Sequence, residues 1–247
     1  MNRRVRYFLF GTLIIFAGCA KANVIVPAIF SDHMVLQQNT SITIWGWAKA
    51  LEEVKITVSW DAAKEYKTVT DVSSSWSFTI ETPKAGGPYQ ITIQGYNTIV
   101  IDDVLIGEVW LGSGQSNMEW TPAMKIEGGE EEKAKANSPE IRFFTVLPWA
   151  ESTPQKHVAG KWVVCTPESM YHFSALMYFF GRELHSKLTV PVGLICSAWG
   201  GSPAEAWMPE FDFERDNTLK QSANTLTPVR WSRSEERRVG KECRSRW

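Results

Sequence analysis

Apolar and polar side chains alternate in short runs along the first hundred residues. This period of two, with many β-branched and aromatic residues, is typical of strands that bury one face. Turn-forming residues such as Asp61 and the run Gly86-Gly87-Pro88 separate the runs. The pattern predicts strands at 41–47 (SITIWGW), 54–60 (VKITVSW), 75–81 (SWSFTIE) and 89–95 (YQITIQG). Short strands at this spacing predict an all-β sandwich over residues 23–101.

The pattern changes near residue 102. Three near-continuous apolar runs follow, as expected for strands that are buried on both faces. They lie at 103–111 (DVLIGEVWL), 140–146 (EIRFFTV) and 192–199 (VGLICSAW). Residues 173–188 have helical apolar spacing, and Pro191 ends that segment. Residues 102–232 therefore predict an α/β domain around a parallel sheet. An open sheet of this class commonly has about five strands, so we expect this domain to be truncated at its C-terminal side.

The N-terminal segment 1–22 is typical of a secretory signal. Basic residues precede an apolar run that is shorter than the roughly 20 residues of a membrane-spanning helix. Ala20-Lys21-Ala22 fits a cleavage site that leaves Asn23 as the mature start. Residues 16–19 (FAGC) resemble a lipobox, which would place a lipid on Cys19. We expect an exported protein, periplasmic or extracellular, and we favour simple cleavage because Phe16 stands where such a motif usually has Leu.

The C-terminal segment 233–247 (RSEERRVGKECRSRW) has no apolar period and reads as the in-frame translation of a sequencing adaptor, so we exclude it from the fold. The chain has 26 basic and 27 acidic residues. Four basic residues fall in 1–22, and six basic and three acidic residues fall in 233–247. The body 23–232 keeps 16 basic and 24 acidic residues, a net charge of −8. This charge argues against nucleic acid or an anionic membrane as a partner.

Two cysteines, Cys165 and Cys196, remain in the body. They fit either a disulfide of an exported protein or small buried hydrophobic residues. No Cys or His spacing suggests zinc, so we expect no metal.

Ser116 follows the first buried run in the stretch GSGQSNM (112–118). Active sites of parallel α/β sheets gather beyond the carboxyl ends of the strands, which is where this serine falls. Gly112 and Gly114 permit a tight turn that would present Oγ and leave N–H groups free. Met118 stands where the G-x-S-x-G elbow has its second glycine. From the pattern alone, a nucleophile and an ordinary turn serine remain equally open.

A second glycine turn follows the third buried run, in SAWGGSPAEAWM (197–208). Gly200 and Gly201 allow a close backbone approach, so an amide there would face an oxyanion. Ser202, Pro203 and Glu205 form a capping-box pattern at a helix start. We therefore interpret Glu205 as a cap rather than an acid catalyst.

Together, these stretches resemble one family. The motifs FSDHMVLQQ (30–38), GEVWLGSGQSNMEW (107–120), FSALMYFFGREL (173–184) and VPVGLICSAWGGSPAEAWM (190–208) are similar to those of sialate O-acetylesterases and related carbohydrate acetylesterases of the SGNH-hydrolase superfamily. The resemblance covers 24–209. It implies a flavodoxin-like three-layer α/β/α domain after an all-β sandwich. It also implies O-acetylated sialic acid or another acetylated glycan as substrate, without a cofactor or metal.

The resemblance also assigns site residues. Ser116 would be the nucleophile, and the backbone amides of Ser116 and Gly201 would contribute to the oxyanion hole. Residues near the substrate would be Gln115, Asn117, Trp199 and Gly200. Three tryptophans, Trp120, Trp199 and Trp207, fit either sugar stacking or ordinary core packing.

Two elements of the family pattern are missing from the sequence. One is a Q-G-E-like block, and the other is a late D-x-x-H that supplies the base. We interpret the histidines His33, His157, His172 and His185 as structural or surface residues. We therefore expect a serine esterase fragment that is itself inactive. Acetylxylan or another acetylated glycan is the alternative substrate, and a non-catalytic carbohydrate-binding or structural protein is the alternative class.

Overall fold

A computed structural model describes residues 23–151 and 154–207. The predicted signal segment 1–22 with Cys19, the last residues of the predicted α/β domain and the tail 233–247 lie outside the described residues. Those interpretations stay predictions. The described residues contain no helix that is long and apolar enough to cross a membrane.

The described elements are mostly strands in the first half and a mixture of strands and helices in the second. The strands are β1 (Val35–Gln37), β2 (Ser41–Trp47), β3 (Glu53–Val58), β4 (Glu65–Val69), β5 (Ser75–Glu81), β6 (Gly86–Gln94), β7 (Thr98–Gly114), β8 (Ser138–Thr145), β9 (Trp162–Cys165) and β10 (Val192–Ala198). The α-helices are α1 (Ser116–Glu119), α2 (Gly129–Lys135), α3 (Pro167–Tyr171) and α4 (Ala175–Leu188). Short 3-10 turns occupy Ser59–Asp61, Pro122–Met124 and Ala204–Trp207.

Two sheets enclose one apolar core in the first half. Strand β2 pairs with β5 in an antiparallel ladder, while β4, β3, β6 and β7 form the facing sheet in that order. The alternation seen in the sequence explains the packing, because every second side chain points inward. The inward side chains include Ile44, Ile80, Ile56, Ile91 and Ile93, all fully buried. The strands predicted at 41–47 and 75–81 are confirmed residue for residue, and those at 54–60 and 89–95 within three residues.

Strand β7 belongs to both halves of the molecule. Its first part, 98–106, pairs with β6, and its second part, 108–114, pairs with β10. β1 adds a parallel pairing at Leu105–Gly107. The boundary that the sequence suggested, between 101 and 102, therefore falls inside a continuous strand.

The second half contains the parallel sheet that the apolar runs predicted. β10 lies between β7 and β8 and is parallel to both, and β9 adds an antiparallel edge. This differs from the flavodoxin-like order, in which the first strand lies between the second and the third. Here the third parallel strand of the chain is central. The near-continuous apolar runs predict which strands are buried but carry no information on their order in the sheet.

Helix α4 packs on one face of this sheet. Met177 and Tyr178 join a core cluster with Phe143, Leu194 and Val192 of β8 and β10. The opposite face does not carry a helix layer in the described part of the chain. There, Phe144, Trp162 and Ile195 pack against the core of the first half instead.

The ends of α4 are set by local chemistry. The Ser174 side chain caps the helix by accepting a hydrogen bond from the Met177 N–H. Thr189 ends it in the left-handed conformation, with φ of 54°. The predicted helix 173–188 is thus confirmed, and it begins two residues later than the apolar spacing suggested.

Candidate active site

Strand β7 delivers Ser116 to the carboxyl edge of the parallel sheet. The ladder with β10 continues to Gly114, whose φ of 146° is open only to glycine at low cost. The chain then turns, and α1 begins at Ser116. Three bonds close this turn. The Met118 and Glu119 N–H groups donate to Gln115 O at 2.9 Å and 3.1 Å, and the Trp120 N–H donates to Ser116 O at 2.9 Å.

Polar groups at the start of α1 remain available. Ser116 is partly buried, and its Oγ has no hydrogen-bond partner within residues 23–151 and 154–207. The N–H groups of Ser116 and Gly201 likewise have no acceptor in the described part of the chain. Buried amides are normally paired, so unpaired ones at a sheet edge are suited to bind an incoming oxygen.

The second glycine turn lies directly beside the first. The Trp199 N–H donates to Gly114 O at 3.0 Å, which extends the β10–β7 ladder by one step. The Ser202 N–H then donates to Trp199 O at 3.3 Å, and Gly201 has a φ of 80°. A closing bond between the first and fourth residues with a positive φ at the third is the pattern of a type II turn.

A carboxylate joins the two turns. The Gly200 N–H donates to Glu119 Oε2 at 2.7 Å. A Cβ atom at Gly200 would lie 2.4 Å from the same oxygen and 3.6 Å from the Cα of Ser116. A side chain at position 200 would therefore displace the Glu119 carboxylate, so glycine is needed to keep this hydrogen bond. Sequence reasoning missed Glu119, whose only signal was its place in the same motif as Ser116.

The other residues predicted near the substrate flank these turns. Gln115 and Asn117 are exposed on either side of Ser116, while Trp199 is partly buried. Trp120 is 45% exposed at the end of α1, and Trp207 is 41% exposed. Both indoles therefore reach solvent.

The expected cap at Ser202 has a different form. Ser202 Oγ donates to Trp199 O at 2.7 Å and accepts from Trp207 Nε1 at 2.7 Å. The segment after it is a 3-10 turn, Ala204–Trp207, rather than an α-helix. The Glu205 side chain lies outside the described part of the structure, so its role as a cap stays a prediction.

Two buried side chains, those of Ser174 and Cys196, contact Met118 of α1 from the core. Ser174 Oγ lies 3.9 Å from Met118 Sδ, and Cys196 Sγ lies 3.8 Å from Met118 O. Cys165 and Cys196 are both buried and carry free thiols. Of the two interpretations of this pair, small buried hydrophobic residues are confirmed, and a disulfide is not formed.

Two histidines are held at the opposite edge of the sheet. His33 Nδ1 lies 2.7 Å from Asp103 Oδ2, near the start of β7, and His185 Nδ1 lies 2.8 Å from Val190 O, just before β10. From residue 103 to 114, a strand extends by about 35 Å, so His33 cannot reach Ser116.

The other two histidines make no bond to Ser116. His172 faces Glu168 at 3.3 Å and is largely exposed, and His157 lies in an exposed loop. No group of three or more His, Cys, Asp or Glu side chains in the described ranges is placed to hold a metal ion.

The chain matches one family of known proteins. The family described as carbohydrate esterase, sialic acid-specific acetylesterase, matches residues 106–231, about half of the chain. The chain belongs to this family. The matched segment includes both glycine turns and the Glu119 carboxylate. The resemblance carried by the GQSNM and WGGS motifs is therefore confirmed.

Curated relatives agree with this assignment. The human sialate O-acetylesterase is 35% identical over 194 residues, which cover 72% of this chain and 37% of that protein. The mouse sialate O-acetylesterase is 33% identical over 193 residues, covering 71% and 36%. The chain thus spans little more than a third of the length of these relatives.

A solved structure has a fold similar to that of this chain. A carbohydrate acetylesterase from Xanthomonas citri superposes with a TM-score of 0.74 and 33% identity, over 80% of this chain and 45% of that one. The mixed α/β architecture of this sialic acid-specific acetylesterase family member is therefore shared with a carbohydrate acetylesterase.

Proposed function

We propose that the whole protein is a serine esterase that removes O-acetyl groups from sialic acid. The observation that carries this proposal is the Ser116 hydroxyl beside the amides of Ser116 and Gly201 at the carboxyl edge of the sheet, all three without a hydrogen-bond partner among residues 23–151 and 154–207. Membership of the acetylesterase family and the names of the curated relatives support the substrate.

The reaction follows from these groups. Ser116 Oγ attacks the acetyl carbonyl carbon while a base takes its proton. The bond from that carbon to the sugar oxygen breaks, and the sugar hydroxyl leaves with the proton. Water then attacks the acetyl-enzyme, and acetate is released with Ser116 restored.

The amides stabilise the charge that develops on the carbonyl oxygen. The N–H groups of Ser116 and Gly201 are fixed by their turns before the substrate arrives, so little reorganisation is needed. Removing one such donor typically costs about 10²–10³ in rate. We propose that Gln115, Asn117, Gly200 and Trp199 border the acetylated sugar.

The base is not among the described histidines. His33 and His185 are bound at the far edge of the sheet, and neither His157 nor His172 contacts Ser116. We assign the base to the remainder of the protein, since the relatives extend well beyond the matched part. In the same way, we propose that the full molecule completes a three-layer SGNH-hydrolase domain behind an accessory β-sandwich, and that it is exported.

The test uses the full-length protein and p-nitrophenyl acetate. We expect hydrolysis, and we expect Ser116→Ala to abolish it while the thermal unfolding midpoint stays unchanged. Ser113→Ala, three residues earlier at the exposed end of β7, is the matched control and should remain active. Activity that survives Ser116→Ala would refute the nucleophile. A full-length protein without any esterase activity would favour a non-catalytic carbohydrate-binding or structural role.

A second substrate class is favoured by the solved relative, which is described only as a carbohydrate acetylesterase. Acetylated xylan and O-acetylated sialic acid, supplied to the same enzyme at equal acetyl concentration, separate the two. The larger kcat/KM identifies the substrate class, and we expect it for sialic acid.

A further inference from the structure

We propose that Glu119 is a positioning residue of the oxyanion site, which holds the Gly200–Gly201 turn in register with Ser116. This inference rests on the proposed function and adds a residue to it. Glu119 does not need to touch the substrate. Its carboxylate acts through the backbone of Gly200.

The contact is specific and short. Glu119 Oε2 accepts the Gly200 N–H at 2.7 Å, which links a side chain of α1 directly to the backbone of the second glycine turn. Hydrogen bonds to an ionised acceptor are shorter and about twice as strong as neutral ones. The bond therefore fixes the position of the peptide that precedes the Gly201 N–H.

The rest of the turn needs this restraint. The turn is tied to β7 by the Trp199 N–H, and Ser202 closes it on Trp199 O through its N–H at 3.3 Å and its Oγ at 2.7 Å. Between Trp199 and Ser202 lie two glycines, which have the greatest backbone freedom of any residue. Without Glu119, the Gly201 N–H would sample directions away from the oxyanion.

The position of Glu119 follows from the helix. Residues three apart lie on the same face of an α-helix, so Glu119 sits one turn above Ser116. The nucleophile and the group that aligns the second amide therefore share one short helix. A shift of that helix would move both together.

The first experiment compares three variants of the full-length protein. Glu119→Ala should lower kcat about 10- to 100-fold and leave KM within about twofold, because a misplaced donor affects the transition state more than the bound ester. Glu119→Gln keeps an acceptor oxygen and should recover most of the rate. Glu127→Ala, at an exposed glutamate of the following loop, is the control and should match the wild type.

Two results would overturn the inference. One is a Glu119→Ala variant with wild-type kcat. The other is a Glu119→Gln variant as slow as Glu119→Ala, since the acceptor would then not be what matters. In both cases, the Ser116→Ala variant tests the proposed function separately. If that variant is inactive, Ser116 is still supported as the nucleophile even though the role of Glu119 is refuted.

A second experiment uses steric coupling. Gly200→Ala places a methyl group 2.4 Å from Glu119 Oε2, and Gly200 does not have a positive φ that would itself strain alanine. We expect Gly200→Ala to lower kcat at least tenfold in the wild type and to cause little further loss in the Glu119→Ala background. Strictly additive losses in the double variant would contradict a direct contact between the two residues.

Discussion

Arg142 Nη1 lies 2.6 Å from Asp103 Oδ2, and this ion pair ties β8 to β7 beside the loop that carries His33. The Arg142 side chain is 5% exposed, and it also donates to Pro139 O at 2.7 Å and to His33 O at 3.3 Å. His33 Nδ1 meets the same Asp103 carboxylate at 2.7 Å. One carboxylate therefore connects the FSDHM segment to the parallel sheet.

Replacement of Asp103 by Asn should destabilise the protein. The change leaves a buried guanidinium with a neutral partner, which costs about 1–3 kcal/mol in the free energy of unfolding. Urea denaturation at neutral pH measures the loss. Asp61→Asn, at an exposed aspartate, is the control and should fall within about 0.5 kcal/mol of the wild type. An Asp103 variant as stable as this control would show that the ion pair contributes nothing net.

The contribution of the Asp103 carboxylate to the free energy of unfolding should depend on pH. Partial burial alone would raise the pKa of Asp103, but hydrogen bonds and charge from Arg142 and His33 outweigh it and lower the pKa below its usual range. A group with a lowered native pKa stabilises the fold above the pKa of the unfolded chain, near 3.9, and this stability is lost as the pH falls through the native pKa. The stability difference between the wild type and Asp103→Asn should therefore shrink below about pH 4. A difference that stays constant down to pH 2 would contradict it.

Gly112→Ala should disturb the packing that supports the turn at Ser116. A Cβ atom there would lie 2.2 Å from Met177 Sδ and 3.0 Å from Met118 Sδ, and Met177 is only 4% exposed. Overpacking of this kind costs about 1–3 kcal/mol, and movement of Met118 should also lower kcat in the full-length protein. Thermal unfolding and esterase rates check both effects. Gly129→Ala, whose Cβ would meet side-chain carbons of Ile126 and Pro122 at 3.3 Å, needs a shift of only a few tenths of an ångström and should have a much smaller effect on both.

The two buried cysteines should resist thiol reagents in the native protein. Burial raises the pKa of Cys165 to about 11 and also raises the pKa of Cys196, so little thiolate is present at pH 8. Labelling with iodoacetamide, followed by peptide mass mapping, should find both unmodified without denaturant and fully modified in 6 M guanidinium. Rapid native labelling of Cys165 would show that its surroundings open far more often than its burial implies.

Much of the fold is readable from local patterns. The alternation in 41–47 and 75–81 predicts strands whose inward residues, such as Ile44 and Ile80, are fully buried. The apolar runs after residue 102 predict parallel strands covered on both faces, and the glycine turns predict where Ser116 and Gly201 lie. The strands, their buried faces and the glycine turns are determined by residues that are close in the chain, so the local sequence pattern is enough to predict them.

Other features depend on contacts between distant segments. The central place of β10, the packing of Trp162 against the first half and the Arg142–Asp103 pair each join residues far apart in the chain. Glu119 was missed for the same reason, because its partner Gly200 lies 81 positions away. A charged residue in the first turn of a helix has many ordinary roles, and only the folded turn distinguishes this one.

Strand β7 has a further consequence for how the molecule can be divided. Its 17 residues carry the ladder of β6 at one end and that of β10 at the other, without a linker between them. A cut after Ile101 would cost β6 the backbone partners that follow, at Val104 and Ile106, and would remove the first residues of the strand that leads to Ser116. The two halves therefore share one continuous strand. Neither half could be moved into another protein without a new strand to replace its part of β7.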